Sequence, residues 1–128
     1  MKLRKIIFSC GLSISVLICA STVLAIDWYS SPWTIPNSWH IPTRTSARPA
    51  TSNLQWTKVT NVSDPKCNIT AAIFKEGQAC SNFEVLEYQG YAYAHCTEGK
   101  VNKGDYIQAG FMSSNDWYDV QATIHWAP

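Results

Sequence analysis

The longest regular pattern in the chain is the alternation of residues 117–126, WYDVQATIHW. Tyr118, Val120, Ala122, Ile124 and Trp126 fall on one side; Asp119, Gln121, Thr123 and His125 fall on the other. A side-chain period of two over this length predicts a half-buried antiparallel strand. Weaker strand signals cover residues 68–75 (NITAAIFK) and 105–112 (DYIQAGFM). Residues 54–62 are rich in β-branched side chains, but their alternation falters near Lys58, where a bulge is expected. No stretch carries the 3.6-residue period of an amphipathic helix.

Residues 83–96, FEVLEYQGYAYAHC, contain a second signal. Two strand-like runs flank Gln89-Gly90, and glycine at the second loop position suits a two-residue type I′ turn. That turn sets Tyr88 against Tyr91, Leu86 against Tyr93 and Glu84 against His95 on one face. The other face pairs Phe83 with Cys96, Val85 with Ala94 and Glu87 with Ala92. A core ordinarily takes the more aliphatic side, so the tyrosines are expected to point outward.

These signals predict an all-β domain over residues 54–128, a small antiparallel sandwich or barrel of about six strands. Residues 26–53 read differently. Pro32, Pro36, Pro42 and Pro49 recur among Ser and Thr, and neither helix nor strand period is visible. Proline fixes φ and removes a backbone donor, so this segment is expected to be an irregular leader. It carries Trp28, Tyr29, Trp33 and Trp39, whereas disordered tails are poor in aromatics. Part of it is therefore expected to dock on the domain or on a partner.

The first 25 residues have the three parts of an export signal. Lys2, Arg4 and Lys5 form a basic start, residues 6–20 are apolar or small, and Val23-Leu24-Ala25 supplies a cleavage site. An uncleaved anchor is the rival, because no charge occurs between Lys5 and Asp27. Serines and a glycine inside the stretch, and no basic residue just after it, favour cleavage. The expected product begins at Ile26 and is secreted or periplasmic.

Cleavage changes the composition that matters. With Lys2, Arg4 and Lys5 gone, seven basic residues face nine acidic ones, a net charge of −2. A nucleic-acid partner would call for a basic footprint that is missing. Membrane contact through the Trp-rich leader is disfavoured by the same acidic balance. Of the five cysteines, Cys67, Cys80 and Cys96 remain. An odd number suggests one disulfide plus one free or intermolecular thiol in an oxidising compartment. Cys80–Cys96 is the expected pair, since Cys96 opposite Phe83 would lie near Cys80. Closing that loop is worth about 3 kcal/mol in the chain-entropy view.

Candidate chemistry is sparse. His95 and Cys96 are neighbours, but adjacent strand residues point to opposite faces and cannot form a nucleophilic dyad. Glu84 opposite His95 would make half of a general acid–base pair, with a surface ion pair as the simpler reading. No elbow or oxyanion motif completes it. His40, His95 and His125 lack metal-ligand spacing, and Asp116 and Asp119 lack the further oxygens calcium needs, so no metal or cofactor is expected. Asn61-Val62-Ser63 and Asn68-Ile69-Thr70 fit the N-glycosylation pattern. The aromatic content stands out: six Trp and six Tyr remain after cleavage, more than so small a core can hide. The reading these features support is a secreted binding module for a glycan, or for a secreted or envelope protein, in the manner of a lectin or an enzyme inhibitor. Its expected surface is Tyr88, Tyr91 and Tyr93, with Glu84 and His95 beside them. The rivals are an exported toxin or antibacterial protein acting on a membrane or envelope, and a small hydrolase using Glu84 and His95.

Overall fold

A computed structural model of the chain describes residues 26–37 and 42–128. The predicted export signal, Trp39 and His40 lie outside the described residues. Among the described residues there is no helix, and two antiparallel sheets pack face to face.

Seven of the eleven strands build the frame. They are β1 (Tyr29–Ile35), β4 (Leu54–Thr60), β5 (Ile69–Lys75), β7 (Glu84–Tyr88), β9 (His95–Glu98), β10 (Tyr106–Ser113) and β11 (Val120–Ala127). Two-residue strands complete it: β2 (Thr43–Arg44), β3 (Arg48–Pro49), β6 (Gln78–Ala79) and β8 (Tyr91–Ala92). One sheet runs β1-β11-β4-β9. The other runs β2-β10-β5-β7-β8, with β3 also on β10 and β6 also on β5.

The alternation read at the C-terminus is realised in β11. Val120, Ala122, Ile124 and Trp126 are all buried and meet Ile69, Ile73, Ile107 and Phe111 of the facing sheet. Removing this apolar surface from water is the main favourable term in folding. In β4 the alternation is also unbroken. Gln55, Thr57 and Val59 all face inward, and the ladder to β11 runs without a slip through Lys58. The bulge expected there is absent, because polar side chains at inward positions had hidden a regular period. The bulge lies instead where β7 meets β5, between Ile69 and Thr70.

The leader is more regular than its prolines suggested. Residues 29–35 form an edge strand on β11, Ile35 is fully buried, and β2 and β3 join the opposite sheet. Proline is tolerated within a strand at an edge, where one side has no ladder to lose. Pro32 sits opposite Thr123 on such an edge. The aromatic residues explain the docking: Trp33 packs edge-on against Phe111 at 6.0 Å, and Tyr29 tilts against Trp126 at 6.4 Å.

Candidate functional site

The Gln89-Gly90 turn forms as expected. Both residues have positive φ, 47° and 84°, as a type I′ turn requires, and Tyr88 pairs with Tyr91 and Glu87 with Ala92. Past Ala92 the expected register ends. Tyr93 still donates its N–H to the Leu86 carbonyl at 2.6 Å, but His95 then starts β9 in the other sheet, opposite Thr57. Glu84 pairs with Ala71 of β5. Glu84 and His95 are therefore not cross-strand partners, and among the described residues the one ion pair is Lys75–Asp105.

Burial of the hairpin also departs from the aliphatic-side rule. Leu86 is fully buried, while Phe83, Val85, Ala92 and Ala94 are exposed. The bulge supplies the reason: two consecutive β7 residues occupy one step of the β5 ladder, which turns Leu86 into the core. Phe83 instead joins a small cluster on the outer face, edge-on to Phe74 at 6.0 Å, where the Arg44 guanidinium also stacks on Phe74.

The tyrosines stand outward. Tyr88 is 47%, Tyr91 66% and Tyr93 52% exposed. The Gln89 side-chain amide donates to the Tyr88 hydroxyl at 3.2 Å and steadies that ring. An open hollow of about 630 Å³ lies beside it, lined by Pro65, Lys66, Asn68, Tyr88 and Gln89. The buried Asn68 Oδ1 has no hydrogen-bond partner among the described residues, an acceptor whose desolvation is uncompensated.

The tertiary structure adds Trp117 and Tyr118 to this end of the sandwich. Ser113 pairs with Ile69, and Ile69 pairs with Glu87, so the loop after β10, the start of β5 and the hairpin turn share one end. That loop is tied down by reciprocal bonds between Asn68 and Ser114. Asn115 accepts from the Trp117 N–H at 2.9 Å and donates to the Tyr118 carbonyl at 2.6 Å. Trp117 is left 88% exposed on this braced loop. The Tyr118 hydroxyl donates to Asp64, which holds Asp64 below the usual carboxylate range, helped by the Lys66 N–H. The same bond pushes the Tyr118 hydroxyl up to about 12. The alternation had set Trp117 at the start of a strand. Asn115, Asp116 and Asp119 around the Trp-Tyr pair are the signal that marks a loop.

Glu84 and His95 do share one feature. Both line a shallow cleft of about 230 Å³ at the β7–β9 side of the sandwich, along with Cys80, Cys96 and Lys100. The expected Cys80–Cys96 bond is not formed; Cys67, Cys80 and Cys96 are free thiols. Because the chain crosses sheets after Ala92, Cys96 lies opposite Trp56 on the outer face of its sheet, not opposite Phe83. Burial raises all three thiols above the ordinary range, which lowers their nucleophilic fraction. No cluster of His, Cys, Asp and Glu suited to a metal ion occurs among the described residues.

No protein-family model matches the chain, and no curated protein matches it. Two solved structures align with most of it. One is from the Bacillus endospore appendages, described as a novel family of disulfide-linked pili, with 12% identity and a TM-score of 0.40. That alignment covers 80% of this chain and 87% of the other. The second is the EclA C-terminal domain, a sugar-binding protein, with 14% identity and a TM-score of 0.42 over 79% of this chain and 80% of the other. Both likenesses are remote.

Proposed function

We propose that the protein is an exported binding module that holds a glycan against the aromatic end of the sandwich. The observation that carries this reading is the set of outward rings there: Tyr88, Tyr91 and Tyr93 on the hairpin and Trp117 on the adjoining loop. Water would normally oppose such a display, and exposed aromatic groups in one region mark interaction sites. A sugar offers an apolar C–H face to rings and hydroxyls to polar neighbours. The hollow provides both, with the Tyr88 ring and Pro65 beside the Asn68 and Gln89 amides. Glu84 and His95 lie at the side cleft, outside the hollow's lining.

Tyr91→Ala and Trp117→Ala, each tested on a glycan array and for thermal stability, decide the matter. Truncating a well-packed anchor commonly costs about 2 kcal/mol or more of binding, whereas an idle surface ring costs little of anything. Lost glycan binding at an unchanged melting temperature supports the site. A large fall in melting temperature for both variants means the rings are structural, and the reading fails. Capture of a secreted protein by the same rings, with no glycan bound, replaces the ligand class.

A further inference from the structure

The lateral side opposite the Glu84–His95 cleft carries a cation that has no ion-pair partner among the described residues. There the inner edge of β1 faces β2 and β3, and a cleft of about 260 Å³ opens between the sheets. Tyr29, Trp33 and Trp126 wall it, with Ser31, Ser46 and Arg48 at its polar side. Arg48 pairs with the fully buried Ile107, which turns its side chain toward the space between the sheets. Its guanidinium lies 3.7 Å from the centroid of the Tyr29 ring. Stacking fixes the guanidinium plane and leaves the in-plane N–H groups free to bond. Arg44 spends a donor on the Gly77 carbonyl and Lys75 pairs with Asp105, but Arg48 makes no ion pair among the described residues. None of the residues lining the cleft is acidic.

We propose that this cleft is a second binding site, for a sugar ring bearing a carboxylate, as in a uronic acid. A pre-oriented guanidinium matches a carboxylate through two parallel charge-assisted bonds. Ser31 and Ser46 can donate to and accept from ring hydroxyls, and Trp33 gives the ring an apolar wall beside the Arg48–Tyr29 stack. The volume suits one ring, with the rest of an acidic chain outside. This site shares no residue with the Tyr88–Trp117 surface, so either can fail without the other.

The test follows amide, indole and guanidinium N–H signals by NMR on the full exported chain. The probes are galacturonic acid trimer, its methyl ester, and sodium acetate at matched ionic strength. The free acid should shift Ser31, Ser46, the Trp33 indole and Arg48 Nε–H in a saturable, salt-sensitive way. The ester should bind at least about tenfold more weakly, as expected when a charge-assisted bidentate pair is lost. Arg48→Gln should reproduce that loss, and Arg48→Lys should recover only part of it, since lysine keeps the charge without the fork. Equal binding of acid and ester overturns the proposal, as does a response confined to other residues. Acetate binding as tightly as the trimer overturns the sugar class. The acid-against-ester comparison needs no variant and stands even if Arg48→Gln fails to fold.

Discussion

β11 and the β7–β8 hairpin are both rich in aromatic and aliphatic side chains, and their fates are opposite. On β11 the Val120, Ala122, Ile124 and Trp126 side chains are sealed, whereas Val85, Tyr88 and Tyr91 of the hairpin face solvent. Hydrophobicity does not separate them; position does. β11 is an inner strand, flanked by β1 and β4, and its inner face meets the opposite sheet. β8 is two residues long and, among the described residues, ends its sheet with no strand beyond it. An apolar residue is buried only where a second layer exists to cover it. A small fold with spare aromatic residues therefore leaves them at the sheet margin, where they are free to meet a ligand.

Truncations should follow that division. Ile124→Ala should cost about 2–5 kcal/mol in denaturant unfolding, and Leu86→Ala about as much, because Leu86 is the hairpin residue that the bulge sends into the core. Tyr91→Ala should stay within about 0.5 kcal/mol of the parent. A Leu86→Ala cost as small as that of Tyr91→Ala would mean that the hairpin contributes nothing to the core and that the bulge does not seat Leu86 there.

A smaller effect tests the turn that displays the rings. Gly90 has φ of 84°, in the left-handed region, so Gly90→Ala should destabilise by about 1–2 kcal/mol. Gly99→Ala, with φ of 102° but away from the hairpin, serves as the control. It should share the stability loss without disturbing the tyrosines. Glycan binding should fall with Gly90→Ala and hold with Gly99→Ala; the reverse pattern would detach the turn from the site.

The gentlest effect belongs to the outer face of β11. His125 bonds the Ser30 hydroxyl at 2.6 Å and the Thr60 hydroxyl at 2.7 Å, tying β1 and β4 across β11. Burial first, and Lys58 second, hold its protonation below the ordinary value of 6.5. The unfolded chain then takes up a proton that the folded one resists. This contribution to stability is full above about pH 6.5 and is lost as pH falls through the folded value. Unfolding between pH 7 and 5 should show a decline that His125→Gln removes, while Tyr91→Ala leaves it intact.

Much of this was legible residue by residue. The Gln89-Gly90 turn was readable because a two-residue loop is decided by its own φ preferences, and the Tyr88–Tyr91 pairing followed from it. The burial of one face of residues 120–126 was readable because period-two alternation is a local signal. Reading failed where a distant partner intervened. The crossing after Ala92 replaced the expected Glu84–His95 and Phe83–Cys96 pairings, leaving Glu84, His95, Cys80 and Cys96 around one cleft without the expected disulfide. The Ile69–Thr70 step placed the bulge in β7, and Gln55 and Thr57, inward yet polar, concealed the regularity of β4. β1 was missed because prolines suggest irregularity unless the strand is known to be an edge. Trp117 was missed because its exposure depends on a loop braced by Asn68 and Ser114, residues that meet only in the folded chain.

What the residues alone determined is where the longer extended segments after Leu54 and the Gln89-Gly90 turn occur, since backbone preference and alternation act over a few neighbouring positions. An antiparallel sandwich or barrel was implied by those segments together with the absence of a helical period, and the choice of two sheets came with the tertiary structure. Only the tertiary structure decided which strands became edges, which face each hairpin residue took, and that Arg48 would lie on Tyr29. Those outcomes depend on pairings between residues far apart in sequence, where one shift in register or one change of sheet moves every following side chain to new neighbours.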